Sequence, residues 1–265
     1  MKKQEKKELK KIKNIISDKK TKDNNDFDVL FMVDATGSMG EYIFAAKSET
    51  KNISEDLRKE YPDMNFKYGY IFYRDPIDSE EDKHEIIDLT DNVNSLPNKI
   101  KNIKAYGGGD EPEDWVGAFK LVNEKISWRN GIRMIIHLAD AGAHGKLFSV
   151  DYTYPQEESK LVNELEKCAL KNIQIFGYVI SEPARKSFNE CLKIYRSKGG
   201  IYEVFDFMPP EMMRKFEEEE SDSRYSSREE RNYEMDMNNE RQDMLNRNFR
   251  SNAMTSVKYS MKNIK

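Results

Sequence analysis

The chain has 265 residues, with 44 Lys and Arg against 48 Asp and Glu, a net charge of −4 and 37% hydrophobic residues. One globular domain with charged flanking segments fits this length, since a domain typically takes about 100–200 residues. Nearly balanced charge gives no electrostatic footprint for nucleic acid. No apolar run reaches the roughly 18 residues that span a bilayer. Cys168 and Cys191 form neither a disulfide framework nor a CxxC metal motif. The expectation is a chain in a reducing, cytoplasmic setting, with a mean hydropathy of −0.87 that is too low for packing throughout.

Ten of the first 22 residues are Lys, and Leu9, Ile12 and Ile16 are the only apolar stripe among them. Residues 1–25 are therefore expected to form a basic arm or marginal helix outside the core. Residues 26–33 then make a nearly continuous apolar run ending at Asp34, the pattern of a strand buried on both faces. Tyr42, Ala46, Ile53 and Leu57 follow at helical spacing. Residues 66–73 predict a second strand that stops at Arg74-Asp75-Pro76, and residues 84–89 predict a short third strand at an edge or in a hairpin. Residues 91–103 predict a helix, broken or started late by Pro97.

A Gly107-Gly108-Gly109 loop leads into a helix with Trp115, Ala118, Phe119, Val122 and Ile126 on one face, and residues 132–138 form another buried strand ending at Asp140. Two more helix and strand pairs follow, with helical faces at Leu161, Leu165, Cys168 and at Phe188, Cys191, Tyr195, and strands at 173–180 and 201–207. Strands alternating with amphipathic helices call for an α/β fold: one open, mostly parallel sheet with helices on both faces, over residues 26–207. Residues 208–265 contain no Gly or Trp and mix Arg, Glu, Asn and Met without a sustained helical period. They are expected to be a charged tail, disordered or partly helical.

Ligands in open α/β sheets bind beyond the carboxyl ends of the strands. There the first strand offers Asp34, Thr36 and Ser38 at alternate positions, followed by Gly40. An extended segment directs all three to one side, and a tight loop gathers them about one centre. Asp140 ends a second strand, and Asp110 sits in the glycine loop. Oxygen groups without soft ligands suit a hard cation, Mg²⁺ or Mn²⁺, with waters completing an octahedron. Asp110 is either a ligand or the cap of the Trp115 helix, with Glu113 three residues on as in a capping box. Asp75 reads as a turn residue, with a place on the metal rim as its alternative, His84 and His137 as strand residues, and His144 as solvent-exposed or in contact with a ligand or partner.

Asp34-x-Thr36-x-Ser38 after an apolar strand resembles the DxSxS signature of von Willebrand factor A domains, and Asp140 is similar to that family's third-loop aspartate. Tyr73-Arg74-Asp75, the GGGDEPED loop and the segment 137–145 also resemble the von Willebrand A domains attached to atypical alpha-kinases. The resemblance implies a Rossmann-like fold and a metal-ion-dependent adhesion site holding Mg²⁺ or Mn²⁺ on Asp34, Thr36, Ser38, Asp110 and Asp140. Its second-loop ligand is commonly Thr, and this chain has Asp110 nearest that place. The resemblance further implies a non-catalytic module in which an acidic Glu or Asp side chain of a protein partner completes the metal's shell. Neutral hydroxyls as direct ligands leave the cation electrophilic enough to attract it.

Two other readings stay open at this stage. One is a metal-dependent phosphoryl-transfer enzyme, although Thr36 stands where a DxDxT phosphatase has its second acid. The other is a kinase-associated scaffold with a vestigial site. No Walker loop, GxGxxG fingerprint or supported Ser-His-Asp arrangement is present.

Overall fold

The computed structural model describes residues 25–75, 83–109, 112–150, 154–209, 211–212 and 228–263. The basic arm of residues 1–24 lies outside these. The described chain forms β1 (Asp26–Asp34), α1 (Gly40–Glu60), β2 (Asn65–Tyr73), β3 (His84–Thr90), α2 (Leu96–Ile100), α3 (Trp115–Glu124) and β4 (Ile132–Ala139). It continues with α4 (Glu157–Leu170), β5 (Ile173–Val179), α5 (Glu182–Ser197), β6 (Tyr202–Asp206) and α6 (Arg228–Lys262). The expected helix over 91–103 is instead a 3-10 turn, Val93–Ser95, followed by the short α2, with Pro97 in its first turn where a missing N–H costs nothing.

The six strands form one sheet in the order β3-β2-β1-β4-β5-β6. All neighbours are parallel except β3, which runs antiparallel to β2 at the edge. β1 is central because it is apolar on both faces. Phe27, Val29, Phe31 and Val33 join a core with α1 and α6, while Leu30 and Met32 join one with α3, α4 and α5. The result is a three-layer α/β/α sandwich. β1 lies between β2 and β4, so the order in which strands are added reverses across it and a crevice opens beyond the carboxyl ends of β1 and β4. That crevice receives Asp34 and Asp140.

Composition places residues 208–265 outside the packed domain; the described part of α6 is packed against it. Within α6, Leu245, Phe249, Ala253 and Val257 stand four apart and are fully buried in the core on the α1 side. Phe249 stacks on Phe31 of β1 with ring centroids 5.4 Å apart, and the Tyr178 hydroxyl of β5 donates to the Asn252 carbonyl at 2.8 Å. Ion pairs flank the stripe, Arg250 to Asp56 at 2.5 Å and Arg241 to Glu41 at 2.8 Å. The stripe has one apolar residue per turn, and the fully buried Ser256 and Ser260 keep the helix close to the sheet. Such a narrow stripe among Asn, Arg and Glu gives little period to read in a sequence.

Candidate metal centre

Three loops at the carboxyl end of the sheet build the site. The first leaves β1 at Asp34, a fully buried residue. Its Oδ1 accepts the Thr36 backbone N–H at 2.9 Å and the Thr36 hydroxyl at 2.7 Å, which curls the loop back on itself. With its proton committed to Asp34, the Thr36 Oγ1 keeps its lone pairs for a second partner. Ser38 stands exposed on the rim of the same turn. The loop is tied down by the Ala35 N–H to the Tyr73 carbonyl at 2.8 Å and the Tyr106 N–H to the Ala35 carbonyl at 3.1 Å.

The second loop passes close over the first. Gly107 and Gly108 adopt φ of 79° and 84°, a left-handed conformation that glycine enters without a side-chain clash. A Cβ on Gly108 would lie 3.1 Å from Glu113 Oε1 and 3.3 Å from Thr36 Cβ. Asp75, fully buried, accepts the Gly109 N–H at 3.0 Å and so anchors the loop, a more specific part than the turn role its sequence suggests. Arg74, also fully buried, grips Glu85 of β3 at 2.6 Å, donates to the Lys104 carbonyl at 2.9 Å and lies 3.9 Å over the Tyr106 ring. One guanidinium thus joins β2, β3 and the approach to the glycine loop.

The third loop leaves β4 at Asp140. The Ser181 hydroxyl donates to the Asp140 carbonyl, and the Ser187 hydroxyl accepts the Ala143 N–H at 2.8 Å while donating to Phe148 O at 3.0 Å. The loops enclose a cleft of about 480 Å³ lined by Thr36, Ser38, Gly108, Glu113, Asp140 and Ser181, among others.

Asp34 Oδ2 and Asp140 Oδ1 are buried and receive no hydrogen bond from a donor among the described residues. Burial, and then the neighbouring Asp140 charge, push the Asp34 carboxyl up to about 8. Two facing carboxyl groups without a donor need a proton or a cation between them, so the residues present fit a bound divalent ion. Among the described residues, no three His, Cys, Asp or Glu side chains converge on one point where they alone could hold a metal. An ion here would therefore depend on hydroxyl oxygens and water as well as carboxylates.

The structure brings together Thr36 and Ser38 of the first loop and Asp140, with Asp34 directly behind Thr36. Asp110 lies outside the described residues. The cap of α3 is Asp114, whose Oδ1 accepts the Gly117 N–H at 2.6 Å, so the cap, one of the two roles open to Asp110, belongs to a residue four positions on. His144 is buried, 1% exposed, with its ring edge-on to Tyr154 at 4.8 Å, correcting the expectation of a solvent-exposed side chain. His137 packs among Trp115, Phe119 and Phe188 and meets the Tyr73 hydroxyl at 2.8 Å. Burial pushes its imidazole down to about 3, so it is neutral. Glu113, Ser181 and Arg74 escape the sequence reading as site residues, and only Glu113 carried a signal, as one of several acids after the glycines.

Residues 28–161 match the family model described as von Willebrand factor A domain. Alpha-protein kinase vwkA of Dictyostelium discoideum is 34% identical over 130 residues, covering 48% of this chain and 20% of the kinase. The von Willebrand factor A domain-containing protein 7 of Rattus norvegicus is 36% identical over 91 residues, covering 34% of this chain and 9% of the relative. The chain thus spans a fifth or less of the length of these two relatives. Among solved structures, the open conformation of the pilus adhesin SpaC of Lactobacillus rhamnosus GG aligns with a TM-score of 0.49 and 12% identity, over 70% of this chain and 28% of that one. With half of its length matching the family model, the chain belongs to the von Willebrand factor A domain family.

Proposed function

We propose that the chain is a protein-interaction module whose contact runs through a divalent cation, Mg²⁺ or Mn²⁺, at the cleft beyond β1 and β4. The observation that carries this is the buried Asp34 carboxyl, with one oxygen bonded by Thr36, the other without a donor among the described residues, and the Asp140 carboxylate as its neighbour. Thr36 and Ser38 would contact the ion, and Asp34 and Asp140 would hold it through water. The ion would supply an electrophilic position at the open rim, and an acidic side chain of a protein partner is the group suited to fill it. Asp110 is kept as a further second-loop oxygen. The same chemistry supports binding rather than catalysis, because Thr36 stands where a phosphatase of this general fold needs an acid. The kinase domain named in one relative is no part of the reading.

Saturating Mg²⁺ or Mn²⁺ is expected to raise the melting temperature, and Asp34→Ala to abolish the shift. An ion at about 100 times its Kd adds about 2.7 kcal/mol of stability, a shift of several degrees. No shift in the wild type would sink the metal reading. Metal-dependent release of phosphate from an aryl phosphate, lost in Asp34→Ala, would replace it with an enzymatic one.

A further inference from the structure

The chain carries a net charge of −4, yet residues 92–106, which climb from α2 to the cleft, contain Lys99, Lys101 and Lys104 and no acid. All three lysines are exposed, and none forms an ion pair with a described residue. The backbone that bears them is held from beneath. The Lys47 ammonium of α1 donates to the carbonyls of Ile103 at 2.5 Å and Lys101 at 3.4 Å, and Arg74 donates to that of Lys104 at 2.9 Å. The charge this ridge turns to solvent is therefore wholly positive.

Two exposed aromatic rings stand at its upper end. Gly40, Phe44 and Lys47 share one face of α1. A Cβ on Gly40 would lie 3.7 Å from Ala105 Cβ, and Lys47 holds Ile103, so Phe44, between them, stands over the same stretch of chain and is 53% exposed. Tyr106 is 38% exposed, packs one ring face on the Arg74 guanidinium, and ties its N–H to the Ala35 carbonyl of the loop after β1. The next residues, Gly107 and Gly108, line the cleft. The rings are thus continuous with the cleft, and Lys104 lies within about 14 Å of Gly108, the reach of the extended chain between them.

Resting on the metal reading above, we propose that the partner is an acidic, extended polypeptide segment that runs from the cleft over Tyr106 and Phe44 onto Lys104 and Lys101. One carboxylate takes the open metal position, and an apolar side chain beside it covers the two rings. Further carboxylates, roughly four to seven residues along the partner, pair with the lysines. Apolar burial supplies affinity, while the lysines steer the acidic segment and fix its direction.

The test is fluorescence anisotropy of the full chain with the labelled peptide GSELFEEDEEGS, in Mg²⁺ at low salt. Lys101→Glu combined with Lys104→Glu is expected to weaken binding by roughly tenfold and to remove most of its salt dependence. Phe44→Ser should weaken it by roughly fivefold, and serines in place of the peptide's Leu and Phe should make wild type and Phe44→Ser alike. These substitutions replace exposed side chains and should leave the melting temperature unchanged. Binding that needs Mg²⁺ but ignores the lysine and Phe44 substitutions would overturn the docking surface and leave the metal reading standing. Binding lost in the lysine variant but indifferent to Mg²⁺ and to Asp34→Ala would sink the metal reading and keep the acidic partner. An unchanged lysine variant, with tighter binding after Glu80→Gln and Glu81→Gln, would count against the proposal by giving the lysines to the chain's own acids. Absence of peptide binding would end it, and lysine-dependent sedimentation with phosphatidylserine vesicles would then assign the ridge to a lipid surface.

Discussion

β1 carries a buried aspartate at each end, and the two meet opposite surroundings. Asp28 is fully buried, and Arg129 answers it with a backbone N–H at 2.7 Å to Oδ2 and Nε at 2.6 Å to Oδ1. The same guanidinium reaches Asp26 at 2.6 Å and the carbonyls of Phe27 and Asn65. Burial raises the Asp28 pKa and Arg129 pulls it back. Asp34 has comparable burial, and the charge that acts on it among the described residues is another carboxylate, Asp140. A buried charge that the fold itself pairs is a structural clasp, and a buried carboxyl that faces another carboxyl instead holds a proton or, on the reading proposed above, gives it up to a metal ion.

The largest expected effect tests the clasp. Arg129→Met leaves Asp28 buried without its partner and should cost about 3–5 kcal/mol in urea unfolding, and adding Asp28→Leu should recover most of that loss. A single-variant loss below about 1 kcal/mol would break the comparison, because Asp28 would then need no compensation.

The next effect is pH dependence at the other end of the strand. Asp34 has a folded pKa of about 8 against 3.8 for the free carboxyl, so the folded chain binds the proton more tightly than the unfolded one. Its contribution to stability is full below 3.8 and is lost progressively as pH rises to about 8. Thermal melts of metal-free chain should therefore fall between about pH 5 and 8, and Asp34→Asn should flatten that slope. An unchanged slope in the variant would mean that Asp34 has a partner after all. Asp140→Asn should have the smallest effect. It removes the neighbouring charge and leaves burial, the larger cause, so the slope becomes shallower without vanishing.

Much of this site was legible because it is local. Asp34, Thr36 and Ser38 are close neighbours at the end of an apolar run, and Asp140 ends another such run. Glu113 was not legible, since Asp110, Glu111, Glu113 and Asp114 look alike as letters. Backbone bonds from Glu113 to Gly142 and from Asp114 to Arg74 hold Glu113 at the cleft, while the Asp114 side chain caps α3. Arg129 is 101 residues from Asp28, and no local pattern joins them.

The sequence by itself determined the strands, their order of succession and the oxygen-rich turn after β1, because apolar runs, helical spacing and glycine turns act over a few residues. Tertiary structure alone decided that Glu113 lines the cleft beside the loop of Asp140, which aspartate of β1 is compensated, and that α6 packs on one face of the sheet. These depend on long-range pairings, whose energies come from groups brought together only when the sheet closes.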